Sequence, residues 1–492
     1  MKLYISSARS KSIICMLLTV IMLLAAVFAP AQAAAVTQLA AIDGTAALLV
    51  DGRTGTVLYE QNADQSVAPA STTKIMTALL VVEAVQRGEI KMTDLVTLTD
   101  EIMHDVPSDA SRIGNAMIVG EEVTVRDLLY MALMESDCVA CDMLAVHTAG
   151  SVANFVSMMN LRAQQLGCSG TNFVNSHGYP AEGHASTARS LYLITAEAAQ
   201  HDLFMEAFGC LKYVMMETNK ADSRILYSTD KLLYDPEIVS SIYTVYFNEY
   251  VTGGKTGYSR ASGNCLVSTA EKDGMMLISV ITGVEMKYPD EQTVIDAFTE
   301  TDRLLKWGFD NYTSHKVVTE GEKLRDITVD KGEPATISGV CADTIYATLE
   351  KGVPTETVQV TTALRDEKIT APVSSGDVLG SVSLMMDGKV IATTELLAGA
   401  DAQLKAKEFK PNVPLIIILS IMVAAGAAFL VYYTNNKGIL LLDLAREKLG
   451  IAAGTSPSVR TQPVRQEETR TPKKENAVTN LFDDYFSHSD RK

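Results

Sequence analysis

The chain has 492 residues, 47% hydrophobic and 21% charged, which is enough apolar material for a large core and rules out a disordered protein. By length it should form two or three domains. Between residues 34 and 433 it carries 29 basic against 51 acidic residues, a net charge of −22, which argues against nucleic acid as a partner.

Lys2, Arg9 and Lys11 precede the apolar run Ile13 to Phe28, and Ala31-Gln32-Ala33 follows as a small-x-small cleavage pattern. Residues 1–33 therefore read as a signal peptide, too short in its apolar core for a retained anchor. Residues 45–60 read as a hairpin turning at Asp51-Gly52-Arg53-Thr54-Gly55, and a helix is expected at about 72–87. From about 120 to 200 apolar positions recur three and four apart, placing helices at Val125 to Leu133, Asp142 to His147 and Val152 to Leu166. Strands resume after Lys255: Leu266 to Thr269 and Met275 to Ile281 flank the turn Lys272-Asp273-Gly274. A helix at Thr293 to Trp307 would close the domain against the first strands.

Strands at both ends with helices inserted between them predict an α+β domain over 34–312. Alternation in Lys323 to Val329, Thr344 to Leu349, Thr357 to Thr362 and Val382 to Met386 predicts a small all-β domain over 313–400. A connector, 401–412, leads to the uncharged segment 413–433, whose length suits a transmembrane helix with Tyr432 and Tyr433 at its end. Flanking lysines and arginines do not orient this span; the signal peptide does, leaving the large segment outside. The tail, 434–492, mixes charge with Pro, Thr and Ser and reads as largely disordered, apart from a helix at Leu440 to Leu449.

Ser71-Thr72-Thr73-Lys74 is an S-x-x-K at the start of an apolar helix, so both side chains share one face, one turn apart. Serine needs a neighbouring base, and a lysine serves as one where burial and nearby positive charge favour its neutral form. The motif is weak alone, and a second copy, Ser228 to Lys231, reads as coincidence. Lys255-Thr256-Gly257 occurs once, and on a strand edge a lysine, a threonine hydroxyl and a glycine make a receptor for a peptide's terminal carboxylate. Cys138, Cys141, Cys168, Cys210, Cys265 and Cys341 match no zinc spacing, so no metal or other cofactor is expected. Buried free thiols suit their apolar surroundings at least as well as disulfides, and Cys138 and Cys141, one turn apart, read as packing. His177 and His184 read as structural hydrogen-bonding residues.

S-x-x-K opening a helix, a helical insert and K-T-G beside a hairpin, in that order, are joined by Leu48-Leu49-Val50-Asp51, Asn175-Ser176-His177-Gly178 and Ser186-Thr187-Ala188. From about 40 to 400 the chain resembles the D-alanyl-D-alanine carboxypeptidases of the low-molecular-mass penicillin-binding proteins. The resemblance implies a β-lactamase/transpeptidase-like catalytic domain, peptidoglycan pentapeptides as substrate, β-lactams as ligands, and attachment to the cell membrane with the catalytic domain outside. It implies that Ser71 attacks the carbonyl between two D-alanines and Lys74 takes its proton. Lys255, Thr256 and Gly257 would hold the carboxylate, and the N–H groups of Ser71 and Tyr258 would form the oxyanion hole. The family's S-x-N falls on Ser136-Asp137-Cys138. Ser136 would relay a proton, whereas Cys138 replaces an asparagine that bonds the substrate amide. Asp230 also stands where relatives often carry asparagine, with little effect expected. Cys138 and the long tail favour a catalytically weak wall-peptide sensor or scaffold; intact Ser71, Lys74, Ser136 and Lys255 favour the enzyme. A β-lactamase would need a dedicated deacylating carboxylate, and none is identified.

Overall fold

The computed structural model describes residues 37–114, 116–288, 295–406, 410–437 and 448. The signal peptide expected at 1–33 lies outside these residues, as does all of the tail past Lys437 except Lys448, including the helix expected at 440–449. Residues to Lys405 form one compact unit; the apolar helix near the C-terminus belongs to another.

Strand β1 (Ala46–Asp51) is buried along its whole length, unlike a half-exposed strand in which only alternate residues face the core. Ala46, Leu48 and Val50 enter one core while Ala47 and Leu49 enter another, so the sheet is covered on both faces. It pairs with β2 (Val57–Gln61) as the expected hairpin. On its other edge it pairs with the far end of the domain, giving a five-stranded antiparallel sheet.

Helix α1 (Lys74–Gln86) has ten consecutive or near-consecutive buried residues, Lys74 to Val82 and Ala84, so it runs through the interior rather than along a surface. Around it pack α2 (Val125–Met134), α3 (Cys138–Ala149), α4 (Val152–Gln165) and α5 (Ala188–Ala198). Thr124, Asp137, Ser151 and Thr187 cap these four, each side chain accepting a backbone N–H from the first turn. The Ser186-Thr187-Ala188 motif is thus a helix start.

A hairpin not anticipated from sequence, β3 (Lys212–Met215) with β4 (Arg224–Tyr227), follows the helices. Strands β5 (Val251–Ser259), β6 (Gly263–Lys272) and β7 (Met275–Val284) complete the sheet in the order β2-β1-β7-β6-β5. The β6–β7 turn has Asp273 and Gly274 both at positive φ, the geometry of a tight hairpin. Because β5 begins at Val251, Lys255-Thr256-Gly257 lies inside a strand, at the sheet edge, rather than just ahead of the strands. Helix α6 (Ala297–Asn311) covers the second face; it starts later than Thr293 because Asp296 and Thr299 form a capping box. Gly308 admits the sheet closely, since a Cβ there would lie 2.7 Å from Leu49 and 2.9 Å from Leu277.

From Tyr312 the chain is β-rich, with its own core around Ile327, Ile337, Val382, Leu384 and Leu396. Four of its strands were legible from alternation; Tyr312–Val318, Thr336–Cys341 and Lys389–Ala398 were not. Thr348, on the strand Ile345–Glu350, donates to the Asp51 carboxylate at 2.7 Å and so ties this layer to β1. The last helix, α7 (Val413–Lys437), holds a stretch from Val413 to Asn436 whose most apolar 18-residue window has a mean hydropathy of 2.6. At 1.5 Å per residue it is roughly 36 Å long, enough to cross a bilayer.

Candidate active site

The S-x-x-K motif straddles two elements. Ala70–Thr73 form a 3-10 turn carrying Ser71, and α1 starts at Lys74. Ala70 holds a positive φ of 45°, a strained conformation for a residue with a side chain, directly beside Ser71. Lys74 is 0% exposed, and its Nζ donates to Ser71 Oγ at 3.1 Å, to the His177 carbonyl at 2.6 Å and to Cys138 Sγ at 3.5 Å.

Ser136 also sits at positive φ, 62°, in the turn between α2 and α3. Asp137 fixes that turn: its carboxylate accepts from Ala140 N, capping α3, and from Ile113 N, both at 2.8 Å. Cys138 N donates to the Ser111 carbonyl at 2.9 Å, so the 111–113 loop is drawn against the same turn. Ser136 Oγ is buried without a partner among the described residues. Cys138 is buried behind Lys74 rather than in the cleft wall, with its sulfur turned to the amine.

On the sheet side, Gly257 brings β5 against the backbone of Ser71: a Cβ there would lie 3.2 Å from Ser71 N. Lys255 is 0% exposed and donates to the Thr256 carbonyl at 3.0 Å. Burial, and then the charge of Lys74, push its pKa down to about 7. Thr256 Oγ1 donates to Thr229 Oγ1 at 2.7 Å. Asp230, expected to matter little, is fully buried under the strand; its side chain occupies the space that a Cβ at Gly254 would need. Burial pushes its pKa up to about 6 against the pull of Lys231 and Lys255.

The loop 175–184 closes the other flank. A Cβ at Gly178 would collide with the Ala70 carbonyl, so this glycine lets the loop lie on the residue before Ser71. His184 bonds Thr73 Oγ1 at 2.9 Å and accepts from Val174 N at 3.0 Å; His177 Nδ1 accepts from Tyr179 N at 3.1 Å. Burial, and then the charge of Lys74, hold His177 at about 3 and His184 at about 4, so both are neutral structural groups. Asp142 bonds Ser176, and burial raises its pKa to about 6. The six cysteines among the described residues are free thiols, and all but Cys210 are buried.

These elements enclose a cleft of about 340 Å³. Ser71 lies in its wall with Ser111, Glu135 and Ser136 from the helical side, and Thr256, Gly257 and Tyr258 from the sheet. Thr229 also lines it, from the second S-x-x-K copy that read as coincidence. No lysine, arginine or histidine among the described residues lines the cleft; Lys74 and Lys255 are buried outside its lining. Sequence reasoning missed Ser111, Glu135 and Thr229 as lining residues, and no motif marks the first two. A signal existed only for Thr229, as the polar turn Ser228-Thr229-Asp230 ahead of a glycine-rich strand.

A serine and a buried lysine at one end of a helix, opposed by a K-T-G strand edge, define a serine acyl-transfer hydrolase. A family model for D-alanyl-D-alanine carboxypeptidase matches residues 31–286, and one for the penicillin-binding protein 5 C-terminal domain matches residues 312–403. The D-alanyl-D-alanine carboxypeptidase DacF of Bacillus subtilis is 30% identical over 73% of this chain and 86% of its own. DacA of Haemophilus influenzae is 31% identical over 71% and 82%. The crystal structure of penicillin-binding protein 5 from Haemophilus influenzae superposes with a TM-score of 0.62 at 28% identity, covering 75% of this chain and 99% of that one. The chain belongs to the D-alanyl-D-alanine carboxypeptidase family, and is a serine-type hydrolase of the penicillin-binding proteins.

Proposed function

We propose that Ser71 is the nucleophile that removes the terminal D-alanine from peptidoglycan stem peptides, and that penicillins acylate the same oxygen. One observation carries this assignment: Lys74 Nζ, sealed from solvent, sits 3.1 Å from Ser71 Oγ at the cleft wall. Lys74 takes the serine proton as Oγ attacks the carbonyl between the two D-alanines. The N–H groups of Ser71 and Tyr258 hold the oxyanion, a contribution of about 3 kcal/mol per donor in comparable sites. Ser136, whose hydroxyl is uncommitted, passes a proton to the departing amine, and water then hydrolyses the acyl-enzyme. Lys255, Thr256 and Gly257 form the receptor for the terminal carboxylate, Lys255 through its field from behind the wall. Cys138 acts on Lys74 and lies outside the cleft lining, so the substrate amide lacks the partner that a longer asparagine side chain would supply.

In the same proposal, 1–33 is a cleaved signal peptide, 34–312 the catalytic domain, 313–400 a β-rich spacer and 401–412 a connector. Residues 413–433 are then a single-pass anchor, with 434–492 inside the cell and the catalytic domain outside. The helix α7 fits such an anchor by length and composition. The test is D-alanine release from a pentapeptide, together with fluorescent-penicillin labelling, by the full chain and its Ser71→Ala variant. Release and labelling are expected from the wild type and neither from the variant; a variant that still releases D-alanine would overturn the assignment.

A further inference from the structure

We infer that Thr229 is a substrate-binding residue, the hydroxyl that donates directly to the terminal carboxylate of the peptide. The inference rests on the carboxypeptidase reading above and starts from the donors that remain free in the cleft. Lys255 is enclosed, with its ammonium already donating to the Thr256 carbonyl at 3.0 Å. The Thr256 hydroxyl has one proton, and it points to Thr229 Oγ1 at 2.7 Å. Thr229 Oγ1 therefore acts as an acceptor there and retains its own proton, for which the described residues offer no acceptor. Its side chain lines the same cleft as Ser71, so that proton is presented to whatever occupies the cleft.

The turn that carries Thr229 is held from both sides. Thr229 N donates to the Met134 carbonyl at 2.9 Å, two residues before Ser136, and Asp230 N donates to Ser228 Oγ at 3.1 Å. The Asp230 carboxylate accepts from Leu232 N at 3.0 Å, capping the next short helix. Thr256 and Thr229 thus form a two-hydroxyl relay spanning the sheet side and the helical side of the cleft, ending in a donor. Such a relay polarises its last O–H and suits an anionic oxygen.

The test compares a peptide ending in D-Ala-D-Ala with the same peptide ending in D-alaninamide, using the detergent-solubilised full chain. The wild type is expected to favour the free acid. Thr229→Val, which keeps the shape and removes the hydroxyl, is expected to raise KM for the free acid about tenfold to hundredfold, the range for a bond to a charged group, with kcat within about twofold. The free-acid to amide ratio of kcat/KM should then fall toward one, while Thr229→Ser keeps it. Thr229→Ala supplies the same comparison should valine crowd the turn. Because the two hydroxyls act in series, Thr229→Val with Thr256→Val should lose no more selectivity than the worse single variant. An unchanged ratio in Thr229→Val, or equal losses on both peptides, overturns the inference. A wild type that cleaves neither peptide overturns the carboxypeptidase reading itself, and this inference with it.

Discussion

Replacing Glu121 with glutamine tests how the cleft wall is held. Glu121 is 0% exposed and Arg224 5%, and they form a two-pronged pair: Oε1 with NH1 at 2.6 Å and Oε2 with NH2 at 3.0 Å. Thr218 Oγ1 and Ile118 N add bonds of 2.8 and 3.0 Å to the same carboxylate. The pair joins the segment that follows Ser111 to β4, the strand that leads into Thr229. Glu121→Gln keeps the shape but leaves a buried guanidinium without a countercharge, a loss of about 3–5 kcal/mol. At about 2 °C per kcal/mol for a domain this large, the melting temperature should drop by roughly 6–10 °C. Burial pushes the Glu121 carboxyl up, but the bonds from Arg224, Ile118 and Thr218 outweigh it, leaving its pKa below the usual carboxylate range. Its stabilisation is therefore present above that range and lost as pH falls through the lowered pKa, so the penalty in the variant should be constant near pH 7 and shrink in acid. Thermal unfolding followed by circular dichroism across pH 3 to 8 measures both effects. A loss under about 1 kcal/mol, or one independent of pH, would show that the pair does not hold the wall; Glu121→Leu with Arg224→Met should lose less than the single variant.

Three further outcomes follow from the site. Asp230→Asn removes a negative charge that favours the ammonium of Lys255, whose pKa is already down at about 7. The alkaline limb of kcat/KM for a free-acid peptide should move to lower pH by about half a unit to one unit; a pH profile that stays put or moves upward contradicts this. Cys138→Asn gives Lys74 an amide oxygen and the substrate amide a partner, so kcat/KM for D-alanine release should rise about fivefold or more, and a fall would show that the thiol is the better neighbour for Lys74. Gly178→Ala should lose more than about 3 kcal/mol and abolish penicillin labelling, because its φ is 83° and the added Cβ meets the Ala70 carbonyl; a labelled, stable variant would show that the loop can move away.

The layout was legible in the sequence where one force dominated. Apolar periodicity marked α2 and α4, the Asp273-Gly274 turn marked β6 and β7, and the S-x-x-K spacing placed Ser71 and Lys74 together. Strands lacking alternation were missed: Lys212–Met215 and Arg224–Tyr227 expose Val214 and Ile225, so their pattern does not separate an inner from an outer face. The position of Cys138 behind Lys74, the enclosure of Lys255 and the arrival of Thr229 in the cleft depend on contacts between segments far apart in the chain. No local pattern encodes them. Asp230 shows the same limit from the other direction, since a one-atom difference from asparagine gains weight only from its burial beneath the strand that carries Lys255.

Peptide mapping by mass spectrometry, after trapping the full chain with penicillin, reports whether the Ser71 oxygen is the one acylated. A single penicilloyl adduct is expected on the peptide containing Ser71, absent from Ser71→Ala. An adduct on any other residue, or an undiminished adduct in Ser71→Ala, would contradict it.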